Sequence, residues 1–88
     1  MTDGADETLE ARLLEAVGLA LGGDWQAAHR IVQEHEDDAT AAWIHAVVHR
    51  MEGDLGNALY WYRHCRRRLR EDVPVQVELR EIEAHLSR

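Results

Sequence analysis

Eighty-eight residues with 45% hydrophobic content suffice for one small domain around a single core. One cysteine, Cys65, excludes an internal disulfide and a cysteine-rich metal site. Seventeen acidic side chains face ten arginines and no lysine, a formal net charge of −7 that favours solubility and argues against a nucleic-acid partner. The opening segment Met1 to Glu7 is acidic and polar, the reverse of a secretion signal, and no apolar run approaches the ~20 residues that cross a bilayer. A cytoplasmic protein without a membrane partner is expected.

The pattern predicts an all-α chain of five helices. The first runs from about Asp6 to Leu21, with Leu9, Leu13, Ala16, Val17 and Ala20 on one apolar stripe. Gly22-Gly23 stops it, and Asp24 is placed to cap a second helix from about Trp25 to His35. Glu36-Asp37-Asp38 forms the next turn. The third helix, about Ala39 to Glu52, is apolar on most sides and is expected at the centre. Gly53-Asp54 repeats the stop and start, and a fourth helix is predicted from about Leu55 to Arg70, with Leu55, Ala58, Tyr62, Cys65 and Leu69 on its buried stripe. Asp72-Val73-Pro74 opens the fifth, which turns Val75, Leu79, Ile82 and Leu86 inward and Glu78, Glu81 and Glu83 to water. The expected core holds Leu13, Val17, Val32, Ala46, Val48, Ala58, Tyr62 and Leu79.

The segment Ala11 to His35 recurs 30 positions later as Ala41 to Cys65. Ala16, Val17, Gly23, Asp24 and Ala28 return as Ala46, Val47, Gly53, Asp54 and Ala58. A period of this size marks stacked supersecondary units that bury their apolar faces on one another. Two helix, Gly-Asp turn, helix units followed by a lone amphipathic helix resemble a pair of tetratricopeptide repeats with a capping helix. The small residues Ala16, Ala46, Ala28 and Ala58 stand at that family's close contacts. The period is 30 instead of 34 and the turn proline is absent. A narrower likeness, over Ala42 to Arg63, is to a segment of small uncharacterised bacterial proteins and implies no activity.

The resemblance implies a five-helix antiparallel α-solenoid over residues 1–88, with units at about 6–35 and 38–70 and a cap at about 73–87. It also implies a protein-interaction module, an adaptor or scaffold that takes a protein or peptide partner in a short groove. The groove residues would be Thr40, Trp43, Val47 and Arg50, with Glu10, Leu13, Val17 and Ala20 one repeat earlier. Trp61 lies opposite Tyr62 and Cys65 and suits either a partner or homodimer contact or packing beneath the cap.

The alternative function is metal binding. His45, His49 and Glu52, at spacings of four and three, share one helical face, with His64 or Cys65 as further donors from the next helix. No glutamate follows His45 directly, so the zinc-protease motif is absent. The plainer reading has both histidines filling semi-buried repeat positions. His29, His35 and His85 read as solvated. The run Arg63 to Arg70 is the one basic cluster; its cations would favour a helix C-terminus by roughly 0.3–1 kcal/mol each and can pair with the acidic first and last helices. The alternative for this run is an RNA- or phosphate-binding patch. With no glycine-rich phosphate loop and no nucleophile beside a base, neither an enzyme nor a cofactor is expected.

Overall fold

The computed structural model describes residues 8–88. Five α-helices follow in order: α1 (Leu9–Leu21), α2 (Trp25–Val32), α3 (Ala39–Glu52), α4 (Leu55–His64) and α5 (Val75–Leu86). A single 3₁₀ turn, Gln33–His35, prolongs α2, and the described residues contain no strand. The expected helix start at Asp6 lies outside the described residues. No helix among them is long and apolar enough to cross a membrane.

The helix starts follow from short polar side chains. Thr8, Asp24, Asp38 and Asp54 accept the amide N–H of Ala11, Ala27, Ala41 and Asn57, which occupies one orphan donor of each of the first four helices. The stops of α1 and α3 share one geometry. Gly23 (φ +93°) and Gly53 (φ +89°) take the left-handed conformation, so the N–H of Asp24 reaches the carbonyl of Leu19 and that of Asp54 the carbonyl of His49. This six-to-one closure needs a residue without a Cβ penalty just past the helix.

The core is one cluster, and every residue expected in it, from Leu13 and Val17 through Val32, Ala46, Val48, Ala58 and Tyr62 to Leu79, is buried. Helix α3 lies at the centre: Ala41 through His49 are all buried, so its sides meet α1, α2, α4 and α5. The placement of α5 differs from that of a cap stacked on the end of the second unit. It packs against α1 and α3, along the face where a groove was expected. Trp43 is 4% exposed, Val47 is fully buried, and Arg50 is bonded to α5 and to the segment before it. What remains of the channel is an opening of about 130 Å³ near Leu9, Thr40 and Leu86. Trp43, Val47 and Arg50 therefore serve to hold α5. An amphipathic helix tethered to the same chain competes for an apolar channel at high effective concentration, which is why the channel is filled.

The anchor of α5 is Glu78, expected in water and found 1% exposed. Its Oε1 accepts from Arg50 Nη1 at 2.7 Å and from the Tyr62 hydroxyl at 2.7 Å, and its Oε2 accepts from Trp43 Nε1 at 2.8 Å. Arg50 also donates through Nη2 to the carbonyl of Val73 at 2.8 Å. Burial, and then the bond to the Glu78 carboxylate, raise the Tyr62 phenol above its ordinary range, so it remains a donor. A buried carboxylate is tolerated only when its lone pairs are matched in this way.

Helix α4 stops at His64, six residues before the expected end at Arg70. No glycine marks the stop. Instead Arg66 takes the left-handed conformation (φ 60°), and the N–H of Arg67 closes on the carbonyl of Tyr62. Leaving the helix lets Leu69 pack on the core, lets Arg70 pair with Glu81 at 2.5 Å, and lays the Arg67 guanidinium over the Trp43 ring, 3.4 Å from its centroid. Continuing the helix would also have stacked like charges of the arginine run three and four residues apart.

Removing Glu78 should leave Arg50 buried and unpaired. Glu78→Ala is expected to lose about 3–5 kcal/mol of stability, with a smaller loss when Arg50 is replaced by methionine in the same chain. Urea denaturation followed by circular dichroism checks this, and an unchanged midpoint for Glu78→Ala would overturn the anchoring role.

Candidate metal centre

The turn Glu36–Asp38 folds α2 back along α3, and residues equally spaced about Asp37 come to face one another. His29 and His45 stand eight residues to either side of it. Their Nε2 atoms lie 3.0 Å apart. His49, one turn beyond His45 on α3, completes a group whose ligating nitrogens all lie within 4.8 Å of one another. The rings of His45 and His49 are stacked with centroids 5.0 Å apart, and His29 stands edge-on to both.

The surroundings fix these rings. Trp61 of α4 stacks on His45 at 4.0 Å with 11° between the planes, and His45 is only 3% exposed. Trp61 is itself buried, at 9%, against α3, so it forms neither a surface contact nor a layer beneath α5. Glu52 accepts from or donates to His49 Nδ1 at 2.8 Å according to the proton's place; with Glu52 ionised, Nδ1 carries the hydrogen and Nε2 keeps a lone pair. A carboxylate behind an imidazole in this way sets the tautomer and ring angle of a metal-binding histidine. Half-buried His29 forms the outer wall.

The expected trio of His45, His49 and Glu52 is thus corrected in one member. Glu52 lies seven residues from His45, about 10 Å along the helix axis, and reaches only His49. His29, expected in solvent, takes its place. A second group, His49, Glu52 and Asp54, is close enough to share an ion. Asp54, however, already caps α4, with both oxygens bonded to Asn57, and these bonds hold its carboxyl below the usual range. His64 packs beside Tyr60 and Trp61, and the Cys65 thiol, pushed up by burial, points to the Tyr62 carbonyl; neither joins the histidine group.

The three histidines do not satisfy one another. One proton bridges His29 and His45, and His45 Nδ1 is left buried with no partner. Leaving such a group unmatched costs about 1–3 kcal/mol. Charging His45 is harder still: burial first, then His29 and His49, lower its pKa to about 3. Burial, then His49, also lower that of His29. His29 and His45 are therefore pushed toward the neutral imidazole, the protonation state that ligates metals. Comparison with known proteins returns no matching family model, no matching curated protein and no matching solved structure.

These depressed values set a pH dependence. Below pH 6.5 the unfolded chain binds a proton at His45 that the folded chain refuses until about pH 3, so stability falls as pH drops through that window. In the presence of chelator, the melting temperature is expected to fall between pH 6.5 and 5, above the main range of carboxylate titration. The slope should be shallower in His45→Gln by about one proton. An identical slope in the variant would show that His45 is not held neutral.

Proposed function

We propose that the protein binds a late first-row divalent metal ion, of the zinc, cobalt or nickel type, through His29, His45 and His49, with Glu52 orienting His49. The observation that carries this reading is the approach of His29 Nε2 to His45 Nε2 at 3.0 Å, with a nitrogen of His49 in the same group. Two imidazole nitrogens bound to one tetrahedral ion at 2.0–2.1 Å lie about 3.3 Å apart, so a shift of a few tenths of an ångström seats them. An ion would use both lone pairs at once, which a single bridging proton cannot. Three imidazoles are borderline-soft donors suited to such ions and poor ones for calcium or magnesium. A fourth position is left for water or an incoming donor, the pattern of a site that exposes its metal and does not seal it.

The repeat supplies the frame for this site. We read α1–α2 and α3–α4 as tetratricopeptide-like units, supported by the shared Gly-Asp turns and by Ala16, Ala28, Ala46 and Ala58, each fully buried. An adaptor role has lost the groove on α3 that would have carried it. Support for it now rests on the outer side of α4, where Leu55, Leu59 and Tyr60 are exposed.

Chelator-treated protein should gain several degrees in melting temperature with excess Zn²⁺, Co²⁺ or Ni²⁺, by linkage of binding to folding. Half-exposed His29 is the safest position to vary: His29→Ala should remain folded and lose the gain. His49→Ala should lose it too, and Glu52→Gln should weaken binding by about 10- to 100-fold. Visible absorption of the Co²⁺ form would report tetrahedral nitrogen ligation. Equal melting temperatures with and without excess metal would refute the site.

A further inference from the structure

Three guanidinium groups without a carboxylate partner are gathered at one place, just past the end of α4. Arg12, Arg50, Arg70 and Arg80 are each paired with a carboxylate. Arg66, Arg67 and Arg68, in contrast, make no side-chain hydrogen bond or ion pair among the described residues, although the protein carries a net charge of −7. These three border a cavity of about 330 Å³ whose wall also includes Trp43, Arg70 and Glu78. That volume lies at the lower end of the range for small-ligand pockets.

The backbone at this point is strained in a way the other helix ends are not. At α1 and α3 the left-handed position just past the helix is a glycine, Gly23 or Gly53; at α4 it is Arg66, the one non-glycine residue with positive φ among the described residues. A side chain in that conformation is disfavoured by its Cβ, and glycine would close the helix without the cost. Neighbouring contacts fix the direction of the rest. The Arg67 guanidinium lies over Trp43, 3.4 Å from the ring centroid, and its N–H groups have no acceptor among the described residues. Glu78 and Glu81 at the same cavity are already matched by Arg50 and Arg70, so they do not neutralise the three free guanidinium groups.

We propose that this cavity binds a small phosphate-class oxyanion, inorganic phosphate or the phosphate group of a small molecule, through Arg66, Arg67 and Arg68. Guanidinium groups match the planar pairs of phosphate oxygens with two parallel hydrogen bonds. A long polyanion such as RNA is disfavoured because the acidic remainder of the surface repels every phosphate outside the cavity. The site shares no residue with the histidine group and stands or falls apart from it.

The test is calorimetric titration of the full chain with inorganic phosphate, pyrophosphate and a sugar monophosphate, against sodium chloride at matched ionic strength. Saturable binding of phosphate in the micromolar to low millimolar range is expected, with a change in tryptophan emission that is lost in Trp43→Phe. A tighter sugar phosphate than free phosphate would assign the organic ligand; the reverse would assign the inorganic ion. Arg66→Gly separates the site from the fold. It should raise the melting temperature by relieving the turn and weaken phosphate binding by at least about tenfold. Arg68→Gln should weaken binding with no change in melting temperature. An equal response to chloride, or unchanged phosphate affinity in both variants, would overturn the site.

Discussion

A single carboxylate organises the C-terminal half of this protein. Glu78 takes hydrogen bonds from Trp43 and Arg50 on α3 and from Tyr62 on α4, and so fixes both the rotation and the register of α5 against its neighbours. Hydrophobic contact alone would let an amphipathic helix slide or turn at little cost, since the loss of one apolar contact is recovered by the next. A buried ion with matched donors has no equivalent second position. Its net contribution to stability is small, because desolvation offsets most of the attraction. Its contribution to uniqueness is large. Arg50 extends the constraint to the connection by holding the Val73 carbonyl.

The central helix then carries two unlike surfaces. Trp43, Val47 and Arg50 face α5, while His45 and His49 face α2 and Trp61. With nearly every side of α3 enclosed, none of these side chains is free to change rotamer independently. For the proposed metal site this means that the ligand geometry would be set before an ion arrived, which would lower the ordering cost of binding. It also explains why an aromatic that reads as a surface anchor in the sequence, Trp61, is spent on sealing an imidazole.

Much of the helical frame was legible from the residues. Glycine followed by aspartate carries both a stop and a start, and the three- and four-residue spacing of apolar side chains named the inner core. Leu9 and Leu55, expected on the inward stripes, stand in the first turn of their helices and are exposed. Glu78 was not legible. One glutamate on an amphipathic helix looks like its neighbours Glu81 and Glu83, and only the convergence of donors from two other helices distinguishes it. The end of α4 was hidden for a related reason: the usual signal is glycine, and arginine at 66 gives the opposite hint. His29 could have been found, because antiparallel helices about the turn at Asp37 place it level with His45. Reading each helix alone, by its own polarity, concealed that pairing.

Because α5 returns to α1, the order of packing in the molecule is a loop and not a line: α1 touches α2, α2 touches α3, and both α3 and α1 touch α5. In a linear stack each unit meets only its sequence neighbours, and the ends can peel away while the middle survives. Within that loop of four helices there is no such end, and α4, which packs on α3, is tied to it by the Tyr62–Glu78 bond. Opening the loop anywhere exposes apolar surface on two partners, so α1, α2, α3 and α5 should melt together. The same closure brings the start of α1 and the finish of α5 together, with Leu9 and Leu86 bordering one small opening. A short bridge could therefore join the two ends and new termini could be cut at an exposed turn, giving a circularly permuted chain with the same core.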